Sequence, residues 1–290
     1  MSPRIGFMGL GIMGAPMAGH LLAAGYNVTI ANRSRGAAVA ALLASGATWA
    51  ESPAALAAES DIIITILGFP ADVEAVWQGP DGLIAHARPG ALLIDMTTSS
   101  PGLARLLAQE AAARGVGALD APVSGGEAGA RNAALSIMLG GAAADVARAM
   151  PVFETLGKTI RHMGGPGAGQ HTKMCNQIAL ASTLMGVAES MAYARSAGLQ
   201  GAAVLEALGP GAAGSFQLAM LGPKMIAQDF APGFMLKHFI KDLGIALAEA
   251  EAMGQALPGL AQVKRLAEMA AATAGPDAGT QAIIAALTVS

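Results

Sequence analysis

The sequence predicts an α/β chain in two parts: a domain at 1–163 built on a parallel sheet covered by helices on both faces, and an all-helical domain at 164–290, joined by one long helix. Three observations predict it. Short apolar, β-branched runs alternate with helical patterns as far as residue 163. The stretch Gly164-Gly165-Pro166-Gly167 breaks that alternation. Beyond it strand signals stop and the apolar spacing is helical.

The first strand lies in Arg4-Ile-Gly-Phe-Met8 and runs directly into Gly9-Leu-Gly11-Ile12-Met13-Gly14, followed by an apolar helical pattern through Leu22. Between a strand and a helix, Gly9 permits the tight turn, Gly11 lets backbone approach a pyrophosphate, and Gly14 lets helix and strand pack closely. Phosphates then sit at the positive helix end, with Ile12 and Met13 in the same loop. This is the signature of a Rossmann-type dinucleotide-binding domain. The second strand, Asn27–Ala31, ends in Asn32-Arg33, where NAD-selective proteins place an Asp or Glu on the ribose hydroxyls. With no carboxylate nearby, an amide and a guanidinium can accept a 2′-phosphate, so NADP is preferred and NAD remains possible. The alternative is that Arg33 is an ordinary surface charge lying over the adenine.

Further strands are predicted at 61–67, 91–95, 116–120, 135–139 and 158–162, with ligands gathering at their carboxyl ends, Leu67 and Thr97 among the residues there. The hydroxyls of Met96-Thr97-Thr98-Ser99 can meet the nicotinamide-ribose end of a cofactor, or Ser99 and Ser100 can start the next helix with Pro101 at its start, and both are expected. The loop Asp120-Ala-Pro-Val-Ser124-Gly125-Gly126 offers a hydroxyl and backbone N–H groups as a small anion cradle. A helix over 169–197 sets Lys173 and Asn176 on one face, where an ammonium and a carboxamide can hold an oxyanion and hand it a proton. By itself such a pair also suits a solvated face. Further helices are predicted near 201–208, 236–253, 259–272 and 279–287, and Lys241-Asp242 on one of them reads alone as a solvent-facing ion pair.

Composition narrows the function classes. A net charge of −3 with no basic cluster gives nucleic acid and anionic membranes nothing to bind. The mean hydropathy of +0.51 comes largely from scattered Ala and Met, and the best candidate span, 174–188, is uncharged but too short and too polar to cross a bilayer. A single cysteine, Cys175, allows no internal disulfide, and the opening residues run straight into a strand, so a reducing cytoplasm is expected. The five histidines show no paired ligand spacing, so no metal is expected.

Four segments, Gly-Leu-Gly-Ile-Met-Gly14, Asp120-Ala-Pro-Val-Ser-Gly-Gly126, Gly167-x-Gly169-x-x-x-Lys173-x-x-Asn176 and Lys241-Asp242-Leu243, occur in an order and spacing that resembles the β-hydroxyacid dehydrogenase family over essentially the whole chain. The resemblance implies that Lys173 is the catalytic lysine, that Asn176 and Ser124, Gly125 and Gly126 hold a substrate carboxylate, and that Thr97 and Lys241 contact the cofactor. It implies a small carboxylate-bearing carbonyl or hydroxyacid substrate, and Gly211-Ala-Ala-Gly-Ser215 looks most like the tartronate semialdehyde reductase branch. Two departures are Gly68-Phe69-Pro70 in place of the usual Leu/Met-Pro-Asn, and Met235 where that branch often has Arg. An imine reductase and a non-catalytic dinucleotide-binding module are the readings of other classes, and Lys173 speaks against both. The apolar positions Ile178, Leu180, Leu184, Met185, Val187 and Met191 exceed a single stripe, so part of the long helix must be covered by the carboxyl-terminal helices of the same chain or of a second. The resemblance favours a second, giving a homodimer or homotetramer.

Overall fold

The computed structural model describes residues 2–287. The chain divides into two compact units, Met1–Lys173 and Met174–Ser290, and the division falls inside the long helix. The first turn of that helix is hydrogen-bonded to strand ends of the sheet, so its opening residues belong with the strands.

In the first unit the elements run β1 (Ile5–Met8), α1 (Gly14–Ala23), β2 (Val28–Ala31), α2 (Ala37–Ala44), β3 (Thr48–Trp49), α3 (Pro53–Glu59), β4 (Ile62–Thr65), α4 (Pro70–Trp77), α5 (Leu83–His86), β5 (Leu92–Asp95), α6 (Pro101–Ala112), β6 (Gly117–Asp120), β7 (Val123–Ser124), α7 (Gly126–Arg131), β8 (Leu135–Gly141), α8 (Ala143–Glu154) and β9 (Gly157–Gly164). Strands β3-β2-β1-β4-β5-β6 are neighbours in that order and parallel. The order reverses between β1 and β4, and sheets of this kind bind ligands at the carboxyl ends beside that reversal. Ile62 and Ile64 of β4 and Leu92 and Ile94 of β5 share one core with Phe7 and Ile30, whereas Ile63 and Leu93 face the opposite core with Leu56, Val73 and Trp77. Burial on both faces is why these strands are apolar up to their last residues, Thr65 and Asp95.

The sheet is not parallel throughout, as the alternation of elements predicts. Strands β6 and β7 pair antiparallel with β8 in one continuous register, Leu119 opposite Gly141 through Ser124 opposite Ser136. Pro122 lacks an N–H and interrupts the strand, while its carbonyl still accepts from Met138 N at 3.1 Å. The chain returns after the short α7 instead of crossing over, so β8 reverses, and the parallel order resumes only with β9 after α8.

In the second unit α9 (Ala168–Ser196) continues from the first, followed by α10 (Gly201–Leu208), α11 (Phe216–Ala227), α12 (Leu236–Ala252), α13 (Pro258–Ala274) and a 3₁₀ segment at Thr280–Leu287, a tighter winding than the α-helix expected there. Helix α11 escapes sequence reading because Gly222 and Pro223 lie inside it; Ser215 caps it, accepting from Leu218 N at 3.0 Å. Leu184, Met185, Val187 and Met191 of α9 are buried in one cluster with Leu243, Leu260, Val263 and Leu266. Cover for α9 therefore comes from the same chain. Among the described residues, no helix is long and apolar enough to cross a membrane.

Candidate active site

The loop from β1 to α1 separates its three glycines by cause. A Cβ on Gly9, which has φ +99°, would overlap the Ile66 carbonyl, and one on Gly14 would overlap the Gly9 carbonyl. Chain geometry alone demands glycine at both positions. A Cβ on Gly11 would meet no protein atom within 4 Å, so the protein itself makes no demand there. Open backbone at Gly11, ahead of the amino end of α1, is what a pyrophosphate requires. Ile12 is exposed and Met13 packs against the core.

At the end of β2, Asn32 Oδ1 accepts from Leu10 N at 3.2 Å and its Nδ2 donates to the Ser34 carbonyl at 3.0 Å, tying two loops together. Arg33 is exposed. Arg35, which the sequence reading passes over, stands 4.4 Å over the Trp49 ring and pairs with Glu51. The sequence reading of a turn with no carboxylate nearby is thus corrected, because the short β3 brings Glu51 alongside.

The ends of β4, β5 and β6 carry a connected polar network. Leu67 N donates to Thr97 Oγ1 at 2.8 Å, and Asp95 Oδ1 accepts from Thr97 N and from Thr65 Oγ1, each at 3.1 Å. Gln170, fully buried, donates from Nε2 to the Thr97 carbonyl at 2.7 Å and accepts from Ser99 N at 3.0 Å. Asp120 accepts from Gly167 N at 2.7 Å and Gln170 N at 2.8 Å, so a carboxylate from β6 satisfies the opening N–H groups of α9. Ser100 caps α6 through Leu103 N at 3.1 Å, as Pro101 at the helix start predicts.

One turn along α9 from this anchor, Lys173 is 7 % exposed and donates from Nζ to the Val123 carbonyl at 2.7 Å. That carbonyl immediately precedes Ser124, which is half-buried, and Gly125 and Gly126, whose φ values of +131° and +60° favour glycine. The first unit thus brings Lys173 to the start of the predicted anion cradle. Asn176 and Lys241 belong to the second unit. There Asn176 Nδ2 donates to Gln177 Oε1 at 2.8 Å, Gln177 Nε2 donates to Asp242 Oδ2 at 2.6 Å, and Lys241 Nζ lies 3.0 Å from Asp242 Oδ1. The Lys241–Asp242 pair is not solvent-facing, since the two side chains are only 12 % and 2 % exposed.

Asp95, Gln170 and Gln177 are missed by sequence reading, which names Asp120 only as the start of the cradle loop. An acidic residue ending an apolar strand was the available signal for the two aspartates, because such a group must find a role at the ligand end of the sheet. The glutamines carry no pattern of their own.

Burial pushes the Asp95 carboxyl up to about 7, against the bonds from Thr97 and Thr65, with Asp120 adding to the rise; burial also raises Asp120, opposed by backbone N–H groups. The two stand opposite one another on β5 and β6. The folded protein therefore holds a proton on Asp95 that the unfolded chain releases near its ordinary 3.8. Its stabilising contribution is complete below about pH 4 and is lost as pH rises through about 7, at up to about 1.4 kcal/mol per pH unit. Asp95→Asn keeps an acceptor for both donors, and its stability relative to wild type should rise between pH 4 and 7 and level off above. Denaturant unfolding across that range measures it; a constant difference would place an ionised carboxylate at Asp95.

Comparison with known proteins agrees with this layout. The family model described as the NAD binding domain of 6-phosphogluconate dehydrogenase matches residues 4–165, and that described as NAD-binding of NADP-dependent 3-hydroxyisobutyrate dehydrogenase matches 167–287. The chain is 49 % identical over 283 residues to the uncharacterized oxidoreductase YkwC of Bacillus subtilis, covering 98 % of each protein. It is 39 % identical over 261 residues to a 3-hydroxyisobutyrate dehydrogenase of Pseudomonas aeruginosa, covering 88 % of this chain and 87 % of that one. Among solved structures it resembles the Mycobacterium tuberculosis 3-hydroxyisobutyrate dehydrogenase with L-serine, at TM-score 0.89 and 33 % identity over 100 % of both chains. The chain belongs to the β-hydroxyacid dehydrogenase family, NAD(P)-dependent oxidoreductases acting on CH–OH groups.

Proposed function

We propose that this chain reduces small carboxylate-bearing semialdehydes with NADPH, tartronate semialdehyde (2-hydroxy-3-oxopropionate) first among them, and oxidises the corresponding hydroxyacids in reverse. One observation carries the reading: a buried lysine, Lys173, is held 2.7 Å from the carbonyl that leads into Ser124-Gly125-Gly126. Hydride transfer to and from carbon is the chemistry a bound nicotinamide supplies. Lys173 gives a proton from Nζ to the carbonyl oxygen as negative charge develops on it, and its bond to Val123 keeps Nζ aimed. The Ser124 hydroxyl and the Gly125 and Gly126 N–H groups hold the substrate carboxylate and so fix where the carbonyl lies, and the family resemblance adds the Asn176 amide as a substrate contact. In oxidation Lys173 must first be neutral to accept the hydroxyl proton, so that direction is favoured at alkaline pH. Similarity to proteins named 3-hydroxyisobutyrate dehydrogenase, one of them solved with L-serine, favours those two hydroxyacids as the second reading. Steady-state assays with tartronate semialdehyde, succinic semialdehyde and glyoxylate, and in reverse with 3-hydroxyisobutyrate and L-serine, decide between them; the highest kcat/KM is expected for tartronate semialdehyde.

The cofactor preference rests on Asn32 and Arg33 at the end of β2, with Arg35 adding a second cation already shared with Glu51. Arg33→Ala should raise KM for NADPH about tenfold, the value of one charge-assisted bond, and leave NADH little changed. Equal wild-type kinetics with both cofactors would remove the basis for the preference. The compartment consistent with an exposed, unbridged Cys175 is the reducing cytoplasm. A homodimer or homotetramer is proposed on the exposed apolar side chains Tyr193, Leu199, Phe216 and Met220 of the helical unit. Light scattering during size exclusion should give a multiple of 28.8 kDa, and a single-chain mass would end that proposal.

A further inference from the structure

We infer that Gln177 and Asp242 are positioning residues, the middle of a directed chain from Lys241 through Asp242 and Gln177 to Asn176 that fixes which end of the Asn176 amide is offered to the substrate. The inference rests on the substrate role proposed above for Asn176 and on the cofactor contact that the family resemblance implies for Lys241. Direction comes from chemistry. An ionised carboxylate only accepts, so Gln177 must turn its Nε2 to Asp242, 2.6 Å away, and its Oε1 then faces Asn176. Asn176 can answer that oxygen only with Nδ2, at 2.8 Å. The amide is thereby held with one N–H spent on Gln177 and its second N–H a donor of the sign a carboxylate needs. Were Gln177 reversed, Asn176 would have to turn about and present an oxygen to an anion.

Helix geometry makes these contacts informative. Neighbours at i, i+1 point about 100° apart and do not normally meet, yet both Asn176–Gln177 on α9 and Lys241–Asp242 on α12 are joined in this way. Gln177 and Asp242 are each 1 % exposed, so water competes little for their bonds. A buried carboxylate is costly unless paired and hydrogen-bonded, and Asp242 is both: Lys241 lies on one oxygen and Gln177 on the other. The same carboxylate thus orients the amide assigned to the substrate and the ammonium assigned to the cofactor.

The test compares Gln177→Met, Asp242→Asn and, as reference, Asn176→Ala in the full chain. Gln177→Met should raise KM for the carboxylate-bearing substrate about tenfold, hold kcat at saturation within about threefold, and leave NADPH affinity unchanged. Asp242→Asn should raise substrate KM and also weaken NADPH, because the carboxylate charge beside Lys241 is removed. Independently of activity, the side-chain amide NMR resonances of Asn176 should move in Asp242→Asn, carried through Gln177, which bonds both residues. A raised KM in Asn176→Ala with normal KM in Gln177→Met overturns the relay and leaves the substrate role of Asn176 standing. Normal KM in Asn176→Ala removes that substrate role instead, and the NMR shifts then decide the relay: unmoved Asn176 resonances end it.

Discussion

Replacing Lys173 with alanine is expected to lower turnover by a factor of about 10² or more, the usual loss when a general acid is removed, while NADPH binds nearly as before. The residue is buried and its Nζ bonds the Val123 carbonyl, so the variant also leaves that acceptor without its lysine partner. This structural cost is about 1–3 kcal/mol, and thermal unfolding of the variant measures it separately from catalysis. Lys173→Arg distinguishes proton transfer from simple charge. A guanidinium keeps the positive charge and can reach an acceptor, but it does not give up a proton near neutral pH. If Lys173 is the acid, arginine should be almost as inactive as alanine; if it only stabilises charge, arginine should recover most of the rate. Turnover of Lys173→Ala close to wild type would remove the assignment altogether.

Much of the frame behind that expectation is legible in the residues. The β1 and β4 strands, the glycines after β1, the end of β2 and the start of α6 follow from local rules: apolar runs buried on both faces, a tight turn, and Ser100 ahead of Pro101. The reversal of β8 is not legible, because its apolar run looks the same in either direction and only the short return through α7 decides it. Helix α11 is hidden by Gly222 and Pro223, which speak against a helix locally and are outweighed by packing of Leu218 and Met225 in the core. Lys173, singled out by its residue type, is brought to the start of the Ser124-Gly125-Gly126 loop, whereas residues needed only by a neighbour carry no such mark in the sequence. Gln170 is the clearest case: nothing in its surroundings in sequence announces that it joins Thr97 and Ser99 to the first turn of α9. Lys241-Asp242 misleads for the opposite reason, since two adjacent charges usually lie in water and these do not.

A substitution at Gly11 should separate cofactor binding from folding more cleanly than one at either neighbouring glycine. Gly11 is not among the glycines with positive φ, and an added Cβ meets no protein atom within 4 Å, so Gly11→Val should fold with nearly unchanged thermal stability. If the pyrophosphate lies against this backbone, the added side chain occupies its place. Such overlap costs roughly 1–3 kcal/mol, which corresponds to a loss of NADPH affinity of about tenfold to a hundredfold. Gly14→Val must behave differently, because its Cβ would strike the Gly9 carbonyl and crowd Ile66; stability and affinity should fall together. Fluorescence titration with NADPH beside denaturant unfolding gives both quantities on each variant. Unimpaired affinity in a folded Gly11→Val protein would mean that the cofactor does not approach the chain at this loop, and the glycine spacing would then be explained by the turn alone.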